Sequence, residues 1–290
     1  DRSSAASDVY KRQEQRDCPL QPVLFKNVLD TVVRWTKKAE VSAYNEADGT
    51  GLLRHIYIRQ GEATGEVMVC LVCTSGKVPQ SKLLVEMLRE AVPGLASVMV
   101  NVNKADTNVV LGDESFTLWG KDHIRDILCG LEFRISPRSF YQVNRRQAER
   151  LYNLAADYAA LTGAETVLDL YCGTGTIGLS MADRAAQIIG VEAVSSAVED
   201  AISNAEANSI ANARFICADA AQAAAQLAQE GIRPQVVVID PPRKGCAAPV
   251  IDTIVSMHPE RVIYVSCDPA TLARDLKLFA ENGYAVERVT

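Results

Sequence analysis

The stretch Thr166-Val-Leu-Asp-Leu-Tyr-Cys-Gly-Thr-Gly-Thr-Ile-Gly178 decides the fold of this chain. A short apolar run ends in Asp169 to Cys172, and the glycines 173, 175 and 178 then open a helix. Gly173 and Gly175 therefore sit at the carboxyl edge of a strand, where open parallel sheets bind ligands. A Cβ there would block close approach, and the turn needs backbone angles that other residues avoid. Downstream, IIGVE, ARFICAD, QVVVID and RVIYVSC are equally short, apolar and rich in branched residues, with helical stretches between them. That alternation predicts an α/β domain over residues 129–290, doubly wound around a parallel sheet.

Upstream the texture differs. Leu24, Val28, Val32 and Trp35 recur at helical spacing after Pro19, and a second helix over Ser81–Val92 stops at Pro93-Gly94. Alternating segments around Leu53–Gln60, Glu66–Cys73 and Ser97–Asn103 read as half-buried strands. Residues 14–128 are thus expected to form a small α+β domain with an antiparallel sheet. Residues 1–13, DRSSAASDVYKRQ, lack apolar periodicity and resemble a translated adapter, so they are expected to be a non-native leader.

The whole chain, 290 residues and 48% hydrophobic, can support two such cores. It has no apolar run of the roughly 20 residues a membrane span needs and no signal-peptide pattern, and its eight cysteines are scattered. These features lead us to expect a cytoplasmic monomer. A net charge of -6 counts against holding nucleic acid by bulk electrostatics alone, though not against a local basic path.

The G-x-G-x-x-G spacing alone does not separate NAD from S-adenosylmethionine. Glu192, ending the next strand, is placed to accept ribose hydroxyls, and Asp219, after the third, to meet an adenine amine. Asp169 favours the methyl donor, because a carboxylate can hold a cationic amino-acid group but repels a pyrophosphate. Strand four runs into Asp240-Pro-Pro-Arg-Lys-Gly245, with Arg243 where amino-methylating enzymes carry a base-stacking aromatic residue. Strand five delivers Cys267 to the same edge. Carbon 5 of uracil is a poor nucleophile, and a thiolate adding at carbon 6 turns it into an enolate carbon able to accept a methyl group. Arg243, Lys244, Arg274 or a helix N-terminus would favour that thiolate.

Together, SFYQVN (139–144), DLYCGTGTIGL (169–179), DPPRKG (240–245) and YVSCDPATLARD (264–275) closely resemble the RNA (uracil-5-)-methyltransferase family, the TrmA, RlmC and RlmD group. The likeness covers residues 14–290 and leans toward the bacterial 23S ribosomal RNA branch. It implies a Rossmann-like methyltransferase domain, S-adenosylmethionine as cofactor and RNA as partner. It further implies Cys267 as nucleophile, with Gln142, Tyr171, Glu192 and Asp240 contacting the cofactor and Thr176 and Asp219 at further contact positions. Arg138, Phe140, Arg243, Lys244 and Arg274 are the expected substrate contacts. Two departures stand out. The family's proton-abstracting glutamate follows the final strand, beyond Thr290, so turnover by this chain alone is in question. Of the four cysteines that hold an iron–sulfur cluster in the ribosomal branch, only Cys18 has a counterpart, and no cluster or other metal is expected.

Other signals are discounted. Cys70 and Cys73 form C-x-x-C, but on a strand they face opposite sides, and no second pair completes a metal site. His55, His123 and His258 are isolated from one another. Arg134, Arg138, Arg145, Arg146 and Arg150, with Phe140 and Tyr141 interleaved, suggest an RNA groove leading to a buried cysteine. Transfer RNA uridine methylation is an alternative. Cytosine methylation is another, although those enzymes carry a further cysteine where this chain has Pro242. An NAD-dependent oxidoreductase and a noncatalytic RNA-binding module are the readings from other classes.

Overall fold

The computed structural model describes residues 18–106 and 108–290, so the expected leader over residues 1–13 lies outside the described residues. The chain divides into two compact units, one holding the described residues up to Gln60 with Gly65–Ile124, the other Gly61–Thr64 with Arg125–Thr290. In the first, helix α1 (Leu24–Lys38) buries Val28, Val32 and Trp35, the stripe that its spacing predicts. Strands β1 (Leu53–Gln60) and β2 (Val67–Cys73) are followed by α2 (Ser81–Ala91), β3 (Leu95–Val102) and β4 (Glu114–Gly120), with sheet order β1-β2-β3-β4.

That sheet is mixed, not antiparallel as expected. β2 pairs parallel with β3, while β1–β2 and β3–β4 are antiparallel. The reason is α2, which carries the chain back across the sheet so that β3 starts at the same end as β2. β2 is also buried at all seven positions, where alternating sequence suggested one wet face. Val67, Val69, Leu71 and Cys73 pack in one cluster with α1 and α2 residues, and Cys70 lies outside it. Burial pushes both thiols up to about 12, as expected of core filler rather than ligands.

The second unit holds β5 (Ile124–Leu128) from Arg125 onward and β6 (Leu131–Ile135), a two-stranded sheet turned by Cys129-Gly130, both at positive φ. Helix α3 (Arg145–Ala159) is capped by Asn144, whose side chain accepts from the Gln147 N–H. It buries Ala148, Tyr152, Ala155, Ala156 and Ala159, while Leu151 is exposed.

Then follow β7 (Thr166–Leu170), α4 (Thr176–Ser180), β8 (Gln187–Glu192), α5 (Ser195–Ala207), β9 (Ala213–Cys217), α6 (Ala220–Gln229), β10 (Val236–Ile239), α7 (Ala248–Ser256), β11 (Arg261–Tyr264) and α8 (Pro269–Glu281). The five strands pair parallel in the order β11-β10-β7-β8-β9. Alternate residues feed two cores. Val167, Ile188 and Val236 join Tyr152 and Ala155 of α3 on one face, while Leu168, Ile189 and Val237 join α6 and α7 on the other. Each such fully buried aliphatic side chain contributes about 2 kcal/mol. The domain is therefore doubly wound, as its sequence predicts. The chain leaves β7 toward β8 on one side and returns to β10 on the other, which opens a crevice at the carboxyl end of β7.

Candidate active site

Five parallel strands put five loops on one edge. In spatial order these carry Cys267 after β11, Asp240 to Lys244 after β10, Tyr171 to Thr176 after β7, Glu192 at the end of β8 and Asp219 after β9. Neighbouring strands lie about 4.8 Å apart, so the ends of β11 and β7 are separated by about 10 Å.

At the end of β7 the backbone is tightly wound. Tyr171, Gly173 and Gly175 all lie at positive φ (63°, 55° and 80°), and holding a tyrosine there costs about 1–3 kcal/mol. Beneath the loop, Asp169 is only 1% exposed, and its Oδ2 accepts the Gly178 N–H at 2.8 Å. A Cβ on Gly178 would stand 2.8 Å from that same oxygen, so glycine is required for the carboxylate to lie there. Asp169 Oδ1 is buried with no hydrogen-bond partner among the described residues. Burial pushes the Asp169 carboxyl up to about 7, Asp240 and Glu192 add to the rise, and the Gly178 N–H opposes it. Asp169, expected at the donor site, thus lies beneath the glycine loop with one oxygen held by the Gly178 N–H.

Glu192 accepts the Gly173 N–H at 3.1 Å and the Val194 N–H at 2.9 Å, fastening the glycine loop to the end of β8. Burial pushes the Asp240 carboxyl up to about 6. Asp219 is exposed and caps α6 by accepting the Ala221 N–H. Thr176 meets the hydroxyl of Tyr152 at 3.2 Å. No sequence motif singles out Tyr152.

Cys267 is exposed, which corrects the expectation of a buried cysteine. It precedes Asp268, the N-cap of α8, whose side chain accepts the Ala270 and Thr271 N–H groups, both at 2.9 Å. The Thr271 hydroxyl donates to the Arg243 carbonyl at 3.1 Å, tying the strand-four motif to this helix. Deeper in, Asp275 is fully buried and accepts from the Cys246 N–H at 2.7 Å, the Tyr264 hydroxyl at 2.6 Å and Arg274 Nε at 2.8 Å. Arg274 also donates to the Lys244 carbonyl. The guanidinium expected to meet substrate is thus engaged within the protein, and Asp275 is an organising residue that no sequence motif singles out. Arg243 and Lys244 are exposed.

Gln142 is half-buried on the loop before α3, which also presents Arg138 and Phe140, the latter 71% exposed. The expected basic groove is partly neutralised. Arg134 lies 3.9 Å from Asp200, Arg145 is 2.6 Å from Glu149 and Arg146 is 3.5 Å from Glu62. Cys18 is half-buried and free, and among the described residues no group of three or more His, Cys, Asp or Glu side chains could hold a metal ion. Nor is any described helix long and apolar enough to cross a membrane.

A family model described as tRNA (Uracil-5-)-methyltransferase matches residues 118–290, which include every strand of the parallel sheet. The chain belongs to this family. Among similar proteins, an "Uncharacterized RNA methyltransferase" of Enterococcus faecalis is 48% identical over 254 residues, covering 87% of this chain and 55% of that protein. One of the same name from Clostridium tetani is 44% identical over 274 residues, covering 94% and 60%. The chain thus spans less than two thirds of these relatives. The crystal structure of a Pyrococcus abyssi tRNA (uracil-54, C5)-methyltransferase in complex with S-adenosyl-L-homocysteine is 27% identical, with a TM-score of 0.75, covering 92% of this chain and 63% of that one.

Proposed function

We propose that this chain methylates carbon 5 of a uridine in RNA, using S-adenosylmethionine and Cys267 as the nucleophile. The observation that carries the reading is the single sheet edge on which a cysteine, the strand-four motif and the glycine loop follow one another across β11, β10 and β7. Membership of the family and the homocysteine complex of the solved relative support it.

The residues fit the donor. Asp169, Asp240 and Glu192 crowd the loop with carboxyl groups; burial raises Asp169 and Asp240, and a cation beside them would draw both toward their charged forms, whereas a pyrophosphate would oppose it. Gln142, Tyr171, Gly173, Gly175, Thr176, Glu192, Asp219 and Asp240 would hold it. When bound, S-adenosylmethionine supplies an electrophilic methyl group. The Cys267 thiolate adds to carbon 6 of uracil, forming a C–S bond and moving the ring electron pair into an enolate. Carbon 5 then becomes nucleophilic enough to receive the methyl. Loss of the carbon 5 proton to a base restores the ring double bond and expels the thiolate. Arg138, Arg243 and Lys244 meet phosphates, and Phe140 stacks on an unstacked base.

The substrate is assigned to 23S ribosomal RNA on the motif resemblance, in a cytoplasmic setting. Transfer RNA is the second reading, favoured by the solved tRNA enzyme. Incubation with 5-fluorouridine RNA and donor tests the mechanism, since fluorine blocks the final elimination and traps the adduct. A covalent complex that disappears in Cys267→Ala is expected; a complex that persists in the variant would overturn the assignment. Comparing fluorinated 23S fragments with fluorinated transfer RNA separates the substrates.

A further inference from the structure

Helix α5 and its C-cap carry Asp200, Asn204 and Asn208 at four-residue spacing, and all three side chains grip one segment of chain. Asn208 brackets Glu132, accepting its N–H at 2.8 Å and donating to its carbonyl at 2.6 Å. Asn204 Oδ1 accepts the Arg134 N–H at 2.7 Å. Asp200 accepts from the hydroxyls of Ser136, at 3.1 Å, and Ser139. The spacings match: four residues of helix rise about 6 Å and two residues of strand about 6.7 Å, so an i, i+4 stripe reads alternate residues of β6 and its continuation.

Asn204 does one thing more. It is fully buried, and its Nδ2 donates to the Thr174 carbonyl at 3.1 Å, between the loop residues Gly173 and Gly175. One amide thus joins the glycine loop to the strand that leads directly into the loop bearing Arg138, Phe140 and Gln142.

We infer that Asn204 is a positioning residue that couples donor binding at the glycine loop to the order of the RNA-facing segment. The inference rests on the proposed donor site. A ligand that settles the Thr174 peptide fixes the Asn204 amide, and the amide then holds the Arg134 N–H. The neighbouring Asn208 has the same chemistry on the same strand but no bond to the glycine loop, which makes it the internal control.

Amide hydrogen exchange of the full chain, with and without S-adenosylhomocysteine, tests the coupling. It is read at residues 132–136, upstream of Gln142, so that direct ligand contact is not the cause. In the native chain, ligand should slow exchange at 173–178 and, by about fivefold, at 132–136, the scale of one hydrogen bond. Asn204→Ala should keep the first effect and lose the second, while Asn208→Ala should keep both. No protection at 173–178 would overturn the donor site itself. Protection there without any at 132–136 in the native chain, or protection at 132–136 that survives in Asn204→Ala, would overturn the coupling alone.

Discussion

The ends of β7 and β11 lie two strands apart on one edge, and each is built over a buried aspartate, yet the two aspartates are treated in opposite ways. Asp275, under the Cys267 loop, has partners on both oxygens: Arg274 on one, the Cys246 N–H and Tyr264 hydroxyl on the other. Asp169, under the glycine loop, has one oxygen satisfied and one bare. A buried polar group left half-paired is expensive, so a fold keeps one where something else completes it. The contrast separates scaffold from binding site. Asp275 fixes a loop so that an exposed thiol is held in place, whereas Asp169 keeps a half-paired carboxyl beneath the glycine loop, where a cation, if bound as proposed, would favour its charged form.

Removing the satisfied aspartate should have the largest effect. Asp275→Ala leaves the Cys246 N–H, the Tyr264 hydroxyl and the Arg274 guanidinium without their acceptor. Breaking a buried ion pair costs about 3–5 kcal/mol, and the lower end applies because Arg274 is half exposed and can rehydrate. The thermal midpoint should fall by roughly 10 °C. A midpoint within a degree or two of the native one would break the comparison, since Asp275 would then not be scaffold.

The half-satisfied aspartate should behave in the reverse sense. Its folded pKa, about 7, lies above the ordinary 3.8, so between these values the folded state holds a proton that the unfolded chain has released. Stability attributable to this group is therefore present below about pH 4 and lost as pH rises through 7. Asp169→Asn keeps an acceptor for the Gly178 N–H and removes the charge. At pH 8 the unliganded variant should be more stable than the native chain, a difference that shrinks toward pH 4. Its affinity for S-adenosylhomocysteine, measured calorimetrically at pH 8, should fall by roughly tenfold or more. A variant that loses stability at pH 8, or binds as tightly as the native chain, would place Asp169 with Asp275.

The sequence made one side of this contrast readable and not the other. Short apolar, branched runs and glycine punctuation locate β7 to β11, and strand-end positions then bring Cys267, Asp240, Glu192 and Asp219 to one edge without coordinates. Burial of individual polar side chains is not periodic. Nothing in ARD at 273–275 shows that Arg274 turns back to two carbonyls or that Asp275 receives hydrogen bonds from residues 11 and 29 positions away. That Asp169, which abuts the glycines in sequence, lies beneath them with one oxygen paired and the other bare is likewise not periodic information. In the first unit, β1 to β3 were legible and their pairing was not, because sheet direction depends on the path of α2. β4 went unrecognised, since its first four residues are exposed and its apolar pattern is weak.

The smallest expected effect concerns Asp268, and it sharpens how Cys267 is held. Asp268 is the cap of α8, and the Thr271 and Ala270 N–H groups hold its carboxyl below the ordinary 3.8. A depressed carboxyl contributes stability above its unfolded value that is lost as pH falls through the lower folded one. Asp268→Ala should lower the urea midpoint slightly near neutral pH, the difference from the native chain closing in acid, while Asp268→Asn should retain most of the cap throughout. Adduct yield with 5-fluorouridine RNA discriminates further. If Asp275 is the anchor of this loop and Asp268 only trims the helix end beside the thiol, Asp268→Ala should keep most of its adduct while Asp275→Ala, assayed below its own melting range, loses more. The reverse order would move the support of Cys267 from the buried network to the exposed cap.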